Sequence, residues 1–306
     1  SLLGFTLEPS KTPEPSTSLN ILGVKVSLQS KTSGLVISTV PDRAKVDFWL
    51  RDIQDCLASN SLPLGLASQL VGRLSFAAWA VWGHTARSRL RCLYDFLLCG
   101  AGEFWDVVRE SLQWWEHRLQ SLVPRLIFLK EVNSSVLLIY TDAEGSGGLG
   151  ALLTGTESSE WFMGKADPRF QESLLPRKRQ IFAFETVTVL LASMVWFKRL
   201  SGRRVVFFVD NTASLGCLRK GSSSKPDIHS LIGFFWDFVI KNHIEVHFRW
   251  VPSKLNLGDR PSRNCAPIVG RQIPFRVRWT QILQLVNSSK LVQIPDSFEG
   301  KTVLSE

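Results

Sequence analysis

Cysteine is scarce in this chain and unpatterned: Cys56, Cys92, Cys99, Cys217 and Cys265 are odd in number, scattered, and never form a Cys-x-x-Cys pair. A zinc site of thiolates or a disulfide framework needs closely spaced partners, so neither is expected, and reduced thiols point to the cytoplasm or nucleus. No apolar run approaches the length of a bilayer span; the longest candidate is Leu74 to Trp82. No secretory leader opens the chain, which begins at Ser1 and so reads as a fragment or a processed product. Internal repeats are missing too, which excludes a solenoid.

What is present suits a globular protein. The chain has 306 residues, 44% of them hydrophobic, enough for two domains with cores of their own. Its net charge of +9 favours a polyanionic partner, nucleic acid or an acidic membrane surface, although a merely basic soluble protein carries the same balance.

The pattern changes once along the chain. Residues 5–19 are rich in Pro, Ser and Thr and read as a loop; "NILGVKVSLQ" and "SGLVISTV" then read as two strands of a hairpin. Pro41 and Asp42 open a helical pattern in which Val46, Trp49, Leu50 and Ile53 recur at helical spacing. Further helices are predicted from Leu64, over Arg87–Leu98, and over Glu103–Leu122 with Trp114 and Trp115. After Pro124 strands are predicted at Ser135–Tyr140, Gly148–Thr154 and Glu160–Met163, then a helix over Pro176–Leu200. The strand "RVVFFVD", helices over Thr212–Lys220 and Asp227–Lys241, and the strand "HIEVHFRWV" complete an α/β unit with a mixed sheet. The fold class is therefore α+β followed by α/β: residues 1–125 a hairpin with helices, 126–263 a five-stranded mixed sheet with flanking helices, 264–306 a weakly patterned tail.

Four carboxylates stand out in the second unit. Asp142 ends an apolar strand and precedes the small-residue run Gly145-Ser146-Gly147-Gly148. Glu185 interrupts the apolar helix "IFAFETVTVLLASMVW", where a core-facing charge is costly without a partner. Asp210 terminates "VVFFV", and Asp259 follows "WVPSKLNLG". Carboxylates converging at strand ends are a means of holding hard divalent cations, and two such ions about 3.5–4 Å apart can drive phosphodiester hydrolysis. Each residue alone has a commoner role: a turn for Asp142 and Asp259, a wet helix face for Glu185, a helix cap at Asp210-Asn211-Thr212. Their joint order is what favours a metal site.

That order, with Trp250, Pro252, Asn256 and Asp259 in "WVPSKLNLGDRPSR", resembles the ribonuclease H domain of retroelement reverse transcriptases, gypsy-like or tyrosine-recombinase-type. The likeness covers about residues 135–263. Upstream, "LNILGVKVSLQ" resembles a primer-gripping hairpin, "LASQLVGRLSFAAWAVWGHTARSRLRCLYDFL" is similar to thumb and connection helices, and "LQWWEHRL" resembles the tether that follows them. The resemblance implies Mg²⁺ or Mn²⁺ held by Asp142, Glu185, Asp210 and Asp259, and hydrolysis of the RNA strand of an RNA–DNA hybrid. It also implies that the chain belongs with the remainder of a retroelement polyprotein. There are departures. No Tyr-x-Asp-Asp and no adjacent Asp pair occurs, so no polymerase centre is expected, and Lys254 and Leu255 stand where the family carries a loop histidine.

Nucleic-acid contacts are expected from Arg177, Lys178 and Arg179, whose charge opposes the helix dipole unless a phosphate is present, and from Asn211, Lys254 and Asn256. His243, Glu245 and His247 share one side of a strand, but Ile244, Val246 and Phe248 alternate with them as a buried face, which favours a wet face over a metal set. Trp114 and Trp115 read as core and rim of an amphipathic helix. The rival function is a catalytically inactive nucleic-acid-binding relic; a purely structural module is a third.

Overall fold

The computed structural model describes Glu14 and residues 16–31, 34–82, 86–99, 105–128 and 136–287. The loop expected at residues 5–19 lies outside these up to residue 13 and at residue 15, and so do residues 288–306 of the expected tail.

The first unit opens with three antiparallel strands where two were expected. Strand β1 (Ser18–Ile21) pairs with β2 (Val24–Lys31) because Leu22 and Gly23 both take positive φ, 53° and 82°, the backbone a two-residue hairpin turn demands. Strand β3 (Gly34–Pro41) pairs with β2 along its length. Asp42 then caps helix α1 (Arg43–Ser59) by accepting from Ala44 N, and the helix buries Val46, Trp49, Leu50, Ile53 and Cys56. Helix α2 (Leu64–Ala77) widens into a π turn over Ala78–Trp82, where Thr39 Oγ1 of the sheet donates to Ala80 O. The expectation that no segment nears membrane length needs correcting: Leu64–Trp82 is 19 residues of mean hydropathy 1.2. Its Ala67, Leu70, Val71, Leu74 and Ala77 stripe nonetheless packs with α1 and with helices α3 (Arg87–Cys99) and α4 (Trp105–Gln120) in one core. Trp114 and Trp115 both lie in that core. Strand β4 (Arg125–Phe128), unforeseen in the sequence, returns to pair with β3 and completes a four-stranded sheet.

The second unit is built on a mixed sheet. Strands β5 (Leu137–Ala143), β6 (Gly148–Thr154) and β7 (Ser159–Lys165) form an antiparallel meander. After the short helix α5 (Pro168–Ser173) comes α6 (Ile181–Val195), apolar almost all round and buried accordingly, then the single turn α7 (Phe197–Leu200). The helix expected from Pro176 thus begins five residues later. Strand β8 (Arg204–Val209) adds parallel to β5, helices α8 (Thr212–Lys220) and α9 (Pro226–Lys241) follow, and β9 (Glu245–Trp250) adds parallel to β8. The chain closes with the turn α10 (Asp259–Ser262), strand β10 (Arg271–Gln272) parallel to β7, and helix α11 (Trp279–Asn287).

The sheet therefore has six strands, ordered β10-β7-β6-β5-β8-β9, where five were expected. The tail expected after Arg263 is in part core: Ile282, Leu285 and Val286 of α11 pack with α9 and α5. His243 and His247 are exposed, His247 pairing with Glu245, while Ile244 and Phe248 are buried.

Candidate metal centre

Register alone brings two carboxylates together. Parallel strands β5 and β8 align Tyr140 with Phe208, whose rings stack at 4.6 Å, so the residues two further on, Asp142 and Asp210, emerge side by side at the same sheet end. Glu185 arrives from α6, which packs on β5. Asp142, Glu185 and Asp210 each offer one oxygen within 4.8 Å of the others. Asp142 is 5% and Glu185 3% exposed, while Asp210 is partly exposed.

The cover over Asp142 comes from the segment after β9. Asn256 Nδ2 donates to Thr141 O at 2.9 Å and its Oδ1 accepts from Gly258 N, locking that segment to the strand. The approach is close enough to require glycine on both sides. A Cβ on Gly150 would lie 2.1 Å from Ser262 N, one on Gly148 2.1 Å from Ser262 O, and one on Gly258 2.9 Å from Asp142 N. Gly147, at φ 91°, makes the turn between β5 and β6. The small residues after Asp142 thus serve two needs, a turn and a docking surface for α10.

Burial first, then the negative neighbours Asp210 and Asp259, push the Asp142 carboxyl up to about 7, against a bond donated by Ser262 Oγ. Burial, followed by Asp142 and Asp210, raises Glu185 well above the ordinary carboxylate range, opposed by a bond from the Ala143 amide. Glu185 Oε2 is buried and receives no hydrogen bond among the described residues. A proton on Glu185 can be shared with Asp210; otherwise a cation is what this oxygen needs. The donor set, oxygens without nitrogen or sulfur, suits a hard divalent ion. The three carboxylates can hold a metal ion.

Both raised groups bind their proton more tightly in the folded chain than in the unfolded one. Their stabilising contribution is therefore complete below the unfolded carboxylate range, and for Asp142 it is lost as pH rises to about 7. Every tenfold gain in proton affinity on folding is worth about 1.4 kcal/mol. Thermal melts of the metal-free protein between pH 5 and 8 are expected to show a stability that falls toward pH 7, with a shallower fall in Asp142→Asn. Equal slopes in the two proteins would show that Asp142 ionises normally.

The fourth expected ligand stands apart. Asp259 is close enough to raise Asp142, yet its Oδ1 is held by Arg263 Nε at 2.9 Å, an i,i+4 pair within the last turn, and it is not among the converging oxygens. Three of the six expected nucleic-acid contacts are also committed elsewhere. Arg177 is ion-paired to the buried Asp227, Asn211 caps α8 by accepting from Ala213 N and Ser214 N, and Asn256 is 5% exposed. Lys178, Arg179 and Lys254 are exposed, Lys254 one residue from Ser253.

Two residues that the sequence did not mark, Ser253 and Ser262, donate to Asp210 and Asp142. Trp250 Nε1 donates to Asp210 O at 3.1 Å and pins the end of β8. The glycine pair two apart on β6, Gly148 and Gly150, was the available signal that a backbone would approach there. No protein-family model matches this chain, and no curated protein matches it.

Proposed function

We propose that this chain is a divalent-cation-dependent nuclease that hydrolyses the RNA strand of an RNA–DNA hybrid, on a ribonuclease H-like second unit. The observation that carries the reading is Glu185: a carboxylate buried beside two others, with one oxygen that no donor among the described residues reaches. A fold retains such a charge when a cation offsets its desolvation. The strand-end placement of Asp142 and Asp210, the net charge of +9 and the order of the acidic motifs support the same reading.

In it, Asp142, Glu185 and Asp210 would hold Mg²⁺ or Mn²⁺, which would supply positive charge for the phosphate and a more acidic water. Ala143 N and Trp250 Nε1 hold the ligand-bearing backbone and carboxylate in place. Exposed Lys254, in the 3-10 turn whose Ser253 bonds Asp210, would supply a contact to a phosphate oxygen. Lys178 and Arg179 add salt-dependent attraction for the duplex.

The test is cleavage of an end-labelled RNA–DNA hybrid in Mg²⁺ or Mn²⁺, with Asp210→Asn alongside. Cleavage by the unsubstituted chain that the variant lacks is the expected result. Binding of the hybrid by both proteins with no cleavage by either would overturn the enzyme reading in favour of a nucleic-acid-binding relic.

A further inference from the structure

The two aspartates of the cluster are each approached by a serine, and both serines come from the same short segment. Ser253 Oγ donates to Asp210 Oδ2 at 2.6 Å. Ser262 Oγ donates to Asp142 Oδ2; the Asp259 carbonyl, 2.8 Å away, is its alternative acceptor, but an ionised carboxylate is the stronger one. Among the described residues, the opposite oxygen of Asp142 has only Asn256 Nδ2, at the 3.5 Å limit of hydrogen bonding. Glu185 contributes Oε2, buried and with no hydrogen-bond partner among the described residues.

We infer that Ser253 and Ser262 are positioning residues that restrict each aspartate to a single ligand oxygen and thereby select a small octahedral cation over calcium at this centre. The inference rests on the metal reading proposed above. A carboxylate with one oxygen engaged by a hydroxyl cannot readily roll to present both to one ion. Calcium takes six to eight oxygens, often from bidentate carboxylates, whereas Mg²⁺ takes six at short distance and keeps several waters. Three single oxygens with waters completing the shell match the second demand. The segment that carries the brace is itself rigidly seated, through Asn256 on Thr141 O and through the glycines of β6. This is the role that partners behind the ligands play in metal sites, where their loss costs about 10–100-fold in affinity.

The two serines differ in a way that keeps the test clean. Ser262 is 3% exposed, so its substitution disturbs a packed contact, but Ser253 is exposed and can be changed without opening the core. The experiment is calorimetric titration of the full 306-residue chain with Mn²⁺ and, separately, Ca²⁺. It compares the unsubstituted protein with Ser253→Ala, Ser253→Thr and Ser262→Ala, with a thermal melt of each metal-free protein as the folding control. The unsubstituted chain is expected to prefer Mn²⁺. Ser253→Ala should weaken Mn²⁺ at least tenfold while narrowing the Mn²⁺/Ca²⁺ ratio by a similar factor, with an unchanged melt. Ser253→Thr, which keeps the hydroxyl, should restore both, and Ser262→Ala should repeat the alanine effect. Mn²⁺ binding that all three variants leave unchanged, or a loss in which both ions weaken equally, overturns the brace and leaves the metal centre standing. No Mn²⁺ binding by the unsubstituted chain overturns the centre and the brace together.

Discussion

Glu185→Gln is expected to raise the thermal stability of the metal-free protein while abolishing its binding of divalent cations. The two effects have one cause. Glu185 is 3% exposed, and burial together with Asp142 and Asp210 disfavours its ionised form, so in the absence of a cation its ionisation opposes folding. Glutamine is close to isosteric, its carbonyl oxygen can accept from the Ala143 amide as the carboxylate does, and its NH₂ can donate to Asp210. Near pH 8, where Asp142 is ionised, folding with Glu185 costs either a buried charge or the uptake of a proton, and glutamine, which avoids both, should stabilise by roughly 1–3 kcal/mol, the scale of an unsatisfied buried polar group. For a chain of this size that is several degrees in Tm. The same substitution deletes the oxygen that lacks a donor, and Mn²⁺ affinity should fall by more than about 100-fold. Melts and calorimetry on the one variant read both effects. A packing role for Glu185 predicts a loss of stability instead, and a destabilised variant that still binds Mn²⁺ would remove the residue from the centre.

The second large effect is expected far from the metal, at Asp237 on α9. Its carboxylate is ion-paired to Arg89 of α3 and accepts from Trp114 Nε1 of α4 at 3.1 Å; the side chains of Arg89 and Asp237 are 1% and 3% exposed. Nearby, Ser111 Oγ bonds Arg89 O, and His229 Nε2 reaches Ser88 O at 3.0 Å. Burial holds His229 down to about 4, so its neutral ring accepts from Ser223 N through Nδ1 and donates through Nε2. These bonds tie the helical core of the first unit to α9, which packs on α6 and so stands behind Glu185. Asp237→Ala removes the carboxylate that faces the buried Arg89 guanidinium and the acceptor of Trp114 Nε1, and breaking a buried ion pair costs about 3–5 kcal/mol. Urea denaturation should report a midpoint lowered accordingly. A paired replacement, Arg89→Met with Asp237→Leu, should recover most of the loss, because desolvating two charges offsets much of their attraction. A single-variant loss below about 1 kcal/mol would show that the pair is open to water and that the units are held by apolar contacts alone.

How much of this was legible in the chain differs by kind of feature. Strand β6 and helix α8 run over the residues their patterns predicted, Gly148–Thr154 and Thr212–Lys220, because period and end signals are local: the alternating apolar run in one, Asn211 and Gly221 at the ends of the other. Strand β1 was hidden inside a longer strand pattern, since Leu22 carries no turn preference and only Gly23 beside it betrays the break. Strands β4 and β10 are too short to show a period, and each exists because a partner strand, β3 or β7, offers it bonds. Helix α11 lies in a segment of weak pattern and owes its burial to α9 and α5.

The candidate site divides in the same way. The sequence by itself determined that three carboxylates would stand at strand ends and within an apolar helix, because an acid in an apolar context is visible without coordinates. Asp142 and Asp210 were legible together once their strands were read, since parallel pairing carries both to one edge. What only the tertiary structure decided is what each oxygen touches. Arg263 claims Asp259, Asp227 claims Arg177, Thr141 claims Asn256, and two serines claim one oxygen each of Asp210 and Asp142. Periodicity and capping act over a few residues and are written in local order. A hydrogen-bond partner is settled by which distant backbone comes within about 3 Å, and here that depended on three glycines letting residues 256–262 settle onto β5 and β6.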